Sequence, residues 1–160
     1  MNYGPFHSPE EMRLFYSSQM SGKDPLAWPA HCNARKTQVG ITTLMAIVPD
    51  HGRAEIGHVW FCTEVHRTRI NTEAQYPVED LGYRRVEWKC DAQNHASRTT
   101  ATRMGFLFEG RFRQHMVIRG RNPDTDWFAL CDKDWSRSRD NFEKWLYGPE
   151  GISLTELNTA

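Results

Sequence analysis

The chain has 160 residues, enough for one domain with a single core, and its 20 basic and 20 acidic side chains cancel. That balance removes the electrostatic case for broad nucleic-acid or anionic-membrane binding. Aromatic residues at 12% argue against disorder throughout, no apolar run nears the roughly 20 residues of a membrane span, and the first eleven residues lack the basic-then-apolar pattern of a secretory leader.

In chain order, Ser8-Pro9-Glu10-Glu11 predicts a helix start. Ser8 can cap, Pro9 suits the first helical position, and Glu11 can reach back in a capping box. Met12, Phe15, Tyr16 and Gln19 continue at helical spacing as far as Gly22. Three strands are expected next, at about Leu26 to Cys32, Gln38 to Val48 and Ala54 to Phe61. The turns between them, Asn33 to Lys36 and Pro49 to Gly52, are short, so the three strands form an antiparallel meander.

Thr63 to Tyr76 reads as a loop entering a helix, and Leu81-Gly82-Tyr83 leads into a strand from Arg84 to Lys89. Strand, helix, strand is a crossover unit, which predicts that the third and fourth strands run parallel. A short helix follows Asn94 and ends at Gly105. Phe106 to Gly120 and Trp127 to Asp132 are expected to make a long hairpin around Asn122-Pro123-Asp124, with a helix over Ser136 to Leu146. The expected organisation is one domain over residues 1–148, with residues 149–160 as a loose tail. The fold class is α+β: a mixed, mostly antiparallel sheet with one parallel step between two central strands, flanked by helices.

The four cysteines, Cys32, Cys62, Cys90 and Cys131, have no close pairing interval of the kind zinc sites favour. No metal is expected, and reduced thiols in a cytoplasmic protein are the simpler reading. Arg111, Arg113, Arg119 and Arg121 are expected to form one polar face of the hairpin rather than a nucleic-acid footprint.

Two stretches carry possible chemistry. His66 to Ala74 lies where a strand hands over to a helix, whose first-turn N–H groups and dipole favour phosphate. Arg67 and Arg69 add cationic side chains there, although two arginines in a loop also suit a solvated surface. In CDAQNHASRTTATRMGF (90–106), Asn94 can cap the helix or turn its amide to a ligand. Ser97, Ala101 and Met104 make one small-residue face, which could flank a slender ligand or pack on the sheet. Gly105 fits the left-handed residue that ends a helix, with Phe106 folding back.

These residues resemble a known family. Asn94-x-x-Ser97-Arg98 with Arg103-Met104-Gly105-Phe106, after Gly82-Tyr83-Arg84-Arg85, is similar to the GNAT superfamily of acyl-CoA N-acyltransferases, in its RimJ/RimL-like branch. Glu55 to Phe61, Arg67-Thr68-Arg69, Thr72-Glu73-Ala74, Glu87 to Asp91, Phe108-Glu109-Gly110, Phe112-Arg113-Gln114 and Gly120-Arg121-Asn122 resemble one subgroup of it. The similarity runs in order from about Tyr3 to Trp135.

The resemblance implies an N-acetyltransferase that moves an acetyl group from acetyl-CoA to a primary amine of a protein N-terminus or small molecule by direct attack. It implies that the central strands splay and admit the pantetheine arm. The cofactor set it implies is Phe61, Cys62, Arg67, Thr68, Arg69, Ile70, Asn71, Thr72, Asn94 and Ser97. Ser97 would protonate the departing thiolate, and Glu55 would act as base through water, with His58 or Glu109 as alternatives. Partners are acetyl-CoA and an amine acceptor, without nucleic acid or membrane; a homodimer is compatible with it.

The chain departs from the family at three places. His66, Arg69 and Asn71 stand where the phosphate loop usually has Gln or Arg, Gly, and Gly or Ala. Only residues 75–80, including Pro77, separate Thr-Glu-Ala from Leu-Gly-Tyr, and a proline opposes helix continuation. The strand and helix expected before Tyr3 are missing. Truncation at the amino end and in that helix is therefore expected, with a degenerate relative that binds acyl-CoA or a protein partner as the alternative function.

Overall fold

The computed structural model describes residues 5–19, 21–66, 68–74, 82–149 and 151–159. Helix α1 (Pro9–Gln19) opens as its sequence dictates. The Ser8 hydroxyl accepts from the Glu11 N–H at 3.1 Å, and Glu11 Oε2 accepts from the His7 N–H at 2.7 Å, so the first turn's donors are satisfied from both sides.

Six strands form one sheet in the order β1-β2-β3-β4-β6-β5. They are β1 (Leu26–Cys32), β2 (Thr37–Val48), β3 (Arg53–Phe61), β4 (Arg85–Asp91), β5 (Leu107–Phe112) and β6 (Thr125–Cys131). The first three make the expected antiparallel meander, and β3 with β4 is the expected parallel step. Every other neighbouring pair is antiparallel. Two bulges bend the centre of the sheet. Ala46 in β2 and His58 in β3 both take positive φ, +49° and +48°, at the register shifts between those strands.

Helix α2 (Arg69–Glu73) follows β3, and α3 (His95–Arg103) follows β4. Helix α4 (Asp132–Tyr147) and α5 (Leu154–Thr159) close the chain. Ala101 and Met104 from the α3 region, Phe142 from α4 and Leu154 from α5 meet Val86, Trp88, Phe128 and Leu130 on one face of the sheet, forming the main core. A smaller cluster of Ala30, Cys32, Val39, Phe61 and Val65 packs against Ile70 and Ala74 at the other end.

Four expectations need correction. The loose tail is a docked element: Leu154 is buried, and the Asn158 amide donates to the Arg103 carbonyl at 2.9 Å and accepts from Asn141 at 2.9 Å. An apolar anchor and a shared amide network hold it, which its polar composition conceals. Helix α4 begins at Asp132, not Ser136, because Asp132 and Asp134 complement the dipole in its first turn. The long hairpin is paired only from Leu107 to Phe112 against β6. Its loop reverses instead at Arg119-Gly120, both with positive φ, between the paired residues Ile118 and Arg121. Arg113, Arg119 and Arg121 lie in that loop and Arg111 is bound to Asp126, so the four arginines share no strand face. The expected helix beyond Glu73, including Pro77, falls mostly outside the described residues.

Candidate active site

Strands β3 and β4 share only three registered pairs, Arg53–Arg85, Ala54–Val86 and Glu55–Glu87. Beyond Glu55, β3 stays with β2 as far as Gly40–Phe61. Beyond Glu87, β4 stays with β6 as far as Asp91–Thr125. The two strands are thus held to their outer neighbours and released from each other. Between them a cleft opens, and their facing backbone groups have no ladder partner across it.

Diagonal ion pairs lace the closed end of this cleft. Lys89 Nζ lies 2.6 Å from Glu55 Oε2, and Arg53 Nη1 lies 3.3 Å from Glu87 Oε2. Each pair joins a residue on one strand to a residue two positions along on the other, because alternate side chains share a face. Arg85 donates to Glu87 at 2.9 Å and grips both carboxylate oxygens of Glu109, at 2.8 and 2.6 Å. The Lys89 ammonium also sits 4.6 Å from the Trp127 ring centroid.

The candidate bases therefore have different surroundings. Glu55 is only 4% exposed. Burial raises its pKa above the ordinary carboxylate value, while Lys89 opposes the rise. Glu109 is held below the ordinary value by the Arg85 guanidinium, which removes it as a base poised near neutrality. His58 is partly buried in the bulge of β3, where desolvation lowers its pKa and favours the neutral ring.

Helix α3 packs beside β4. Asn94 caps it, its side-chain oxygen accepting from the Ser97 N–H at 3.1 Å. Ser97 Oγ accepts from the Trp88 indole N–H at 3.0 Å and lies beside the Cys90 thiol, whose pKa burial pushes up. The face of Ser97, Ala101 and Met104 does not line the cleft along its length. Ala101 and Met104 are 0% and 1% exposed and pack into the main core, since small residues let the helix approach the sheet closely. Two hydrogen bonds, Phe106 N–H to the Ala101 carbonyl and Gly105 N–H to the Thr102 carbonyl, end the helix with Gly105 at φ +80°.

The proposed phosphate loop is more internally engaged than its sequence suggests. The Phe61 carbonyl meets the His66 ring at 3.1 Å, and the Cys62 N–H donates to the Val39 carbonyl. The Thr68 hydroxyl donates to the Val65 carbonyl at 2.7 Å, while Ile70 packs on the smaller core. Arg69 donates to the Leu146 carbonyl at the end of α4 at 2.6 Å and lies over Trp145, so its guanidinium is tied to a helix C-terminus. Thr72 is fully buried, accepting from Arg103 at 2.9 Å and donating to Asn71 at 3.2 Å. Arg67 lies outside the described residues. Glu55 is thus paired across the parted strands and Ser97 is bound to Trp88 of β4, whereas Thr72 faces inward.

Sequence reasoning missed three participants: Lys89, Trp88, and Asp126, a wholly buried carboxylate. Asp126 lies 2.7 Å from Arg111 Nε on β5 and 3.0 Å from Arg98 Nε on α3, fastening the helix to the sheet. Alternation along Glu87-Trp88-Lys89 put Lys89 on the Glu55 face once the parallel pairing was accepted; nothing local announced Asp126. Among the described residues, no group of three or more His, Cys, Asp or Glu could hold a metal ion. No described helix is long and apolar enough to cross a membrane.

Comparison with known proteins agrees with this geometry. A family profile described as an Acetyltransferase (GNAT) domain matches residues 1–107. The chain is 30% identical over 101 residues to YdaF of Bacillus subtilis, a proposed ribosomal N-acetyltransferase, covering 60% of this chain and 55% of that protein. It is 29% identical over 116 residues to the uncharacterized N-acetyltransferase YoaA of the same species, covering 68% of this chain and 63% of YoaA. The matches thus span less than two thirds of either curated relative. A crystal structure of a GCN5-related N-acetyltransferase from Brucella melitensis superposes on the whole chain with a TM-score of 0.92 at 34% identity, covering 78% of that protein. A GNAT-family acetyltransferase from Chromobacterium violaceum gives 0.81 at 36% identity, over 85% of this chain and 71% of the other.

Proposed function

The chain belongs to the GNAT acetyltransferase family, and we propose from that premise that it transfers an acetyl group from acetyl-CoA to a primary amine, on a protein N-terminus or a small molecule. The observation that carries this reading is the parting of β3 and β4 after Glu55 and Glu87. An extended chain of amides such as pantetheine fits an opening between two strands whose facing backbone groups lack ladder partners, because it can bond to them as a strand would.

Glu55 accepts the acceptor amine's proton through water, and burial gives its carboxylate more affinity for that proton than an exposed one has. The freed amine attacks the thioester carbonyl, the new C–N bond forms, and the C–S bond breaks. Ser97, whose oxygen already accepts from Trp88, supplies a hydroxyl proton toward the leaving sulfur. His58, kept neutral by burial, is the alternative base. The loop from His66 to Asn71 would hold the pyrophosphate, as the family resemblance implies, although the Arg69 guanidinium is bound to α4. The site of action is the cytoplasm.

A second reading is a degenerate relative that binds acyl-CoA or a protein partner without catalysing. It draws on the five-residue α2 and on the inward commitment of Arg69 and Thr72. Calorimetric titration with acetyl-CoA, beside turnover on a panel of primary amines and N-terminal peptides, separates the two. Binding with turnover is expected. Binding without turnover selects the second reading, and no heat at millimolar acetyl-CoA removes both assignments of the cleft.

A further inference from the structure

The cleft's closed end holds a charge arrangement beyond what the acetyl-transfer reading assigns. Lys89 projects from β4 just past the last registered pair and reaches back across the parting strands to Glu55. Its ammonium is fixed at two points, 2.6 Å from Glu55 Oε2 and 4.6 Å from the centroid of Trp127. The lysine side chain is 25% exposed and the glutamate 6%, so the contact is shielded and only lightly screened.

The charged neighbours of Glu55 are few. On β4, Lys89 attracts its negative charge and Glu87 repels it; on β3, Arg53 attracts it from farther away. Arg53 is itself paired with Glu87, and Glu87 is also paired with Arg85. On β2 the residue opposite Glu55 is Met45, which carries no charge. Lys89 is therefore the one cation in direct contact with Glu55 among the described residues. The second carboxylate oxygen, Oε1, faces Gly57, where an added Cβ would stand 3.9 Å away. The carboxylate is thus held by one oxygen, and the other lies on the Gly57 side of β3.

We propose that Lys89 is a positioning residue for the acetyl-transfer reaction: bridging the parted strands, it holds Glu55 as an ionised carboxylate by one oxygen and leaves the other, on the Gly57 side, outside that contact. This rests on the reading of Glu55 as the base. Without Lys89, a carboxyl group this buried is protonated over a wider pH range and cannot accept the acceptor's proton there. Lysine suits the role because its flexible stem spans the gap between the parted strands and its point charge meets one carboxylate oxygen, leaving the other for the water.

The test compares the full chain with Lys89→Met and Lys89→Arg, using acetyl-CoA and a primary amine that the parent chain acetylates. In Lys89→Met the acidic limb of the kcat/KM profile should move upward by about one to two pH units, roughly tenfold in rate for each unit below it. The KM for acetyl-CoA should stay within about twofold, and Lys89→Arg should return most of the limb. Carbon-13 resonances of labelled glutamate, with Glu55 identified by its loss in Glu55→Gln, should titrate upward to the same extent. Should Lys89→Met lose its cooperative thermal transition, Lys89→Gln carries the same measurements.

A parent chain that turns over while the limb stays unmoved in Lys89→Met overturns the positioning role alone. So does a uniform fall in kcat with unchanged pH dependence, as expected of a structural residue. Absence of turnover on every amine overturns the functional reading instead. The Glu55 titration then still decides the ion pair: an unshifted resonance shows that Lys89 does not hold the carboxylate.

Discussion

The Trp88 indole N–H donates to Ser97 Oγ at 3.0 Å, joining the part of β4 that has left β3 to the first turn of α3. This bond adds to the Arg98–Asp126 ion pair and the packing of Ala101 in holding α3 against the sheet. The bond uses an oxygen lone pair of Ser97 and leaves the hydroxyl proton for another acceptor.

Replacing Ser97 with alanine removes both functions. Loss of a proton donor to the leaving sulfur should lower kcat by about 10²-fold or more, with acetyl-CoA affinity nearly unchanged. The buried indole N–H also loses its partner, at a cost of about 1–3 kcal/mol. Trp88→Phe should show a similar stability loss with a smaller fall in kcat. Steady-state kinetics beside chemical denaturation separate the two effects.

Asp126 is wholly buried between Arg111 and Arg98, so its pairing is shielded although Arg111 is partly exposed. Asp126→Asn leaves Arg111 and Arg98 facing a neutral group and should destabilise the chain, by less than the loss of a fully buried pair because both guanidinium groups reach solvent. The arginines lower the folded-state pKa of Asp126, the nearer Arg111 contributing most. A lowered folded pKa gives stability that is present above the unfolded aspartate value near 4 and is lost as pH falls through the folded value. Melting curves from pH 7 to pH 3 should therefore fall more steeply for the parent chain than for Asp126→Asn.

Gly40 lies opposite Phe61, where the meander meets the cleft. A Cβ there would stand 2.4 Å from the Phe61 ring and 2.5 Å from the Trp60 carbonyl. The carbonyl belongs to the backbone and cannot swing aside. Gly40→Ala should cost at least about 1–3 kcal/mol and displace the end of β3 that has parted from β4. A lower melting temperature together with weaker acetyl-CoA binding is the expected result.

Removing residues 149–160 should destabilise the chain rather than trim a tail. Leu154 leaves the main core, and the Arg103 carbonyl loses the Asn158 amide. The single change Asn158→Ala should cost about 1–3 kcal/mol, and truncation should cost more, by loss of a large apolar side chain as well. Thermal denaturation of the two variants checks the order.

Local rules written in the sequence largely determined the elements. Leu26 to Cys32 formed a strand with the bounds read from alternation and turn residues, and the short turns after it forced the antiparallel meander. Ser8, Asn94 and Gly105 ended helices where their side chains or lack of one predicted. Each of these signals acts over a few residues, so a linear chain displays it. The parallel step was also legible, because a crossover between adjacent strands leaves little choice of direction.

Only the tertiary structure decided what the side chains are for. Arg69 looked like a phosphate ligand until α4 brought the Leu146 carbonyl to it, 77 residues away in sequence. Thr72 turned inward to Arg103, and Ala101 and Met104 became core rather than cofactor wall. Glu55 acquired Lys89 because two strands paired for three residues and then parted. Periodicity fixes which side chains share a face. The partner each one meets depends on packing between distant segments, and a buried charge must find its counter-ion wherever the fold delivers it.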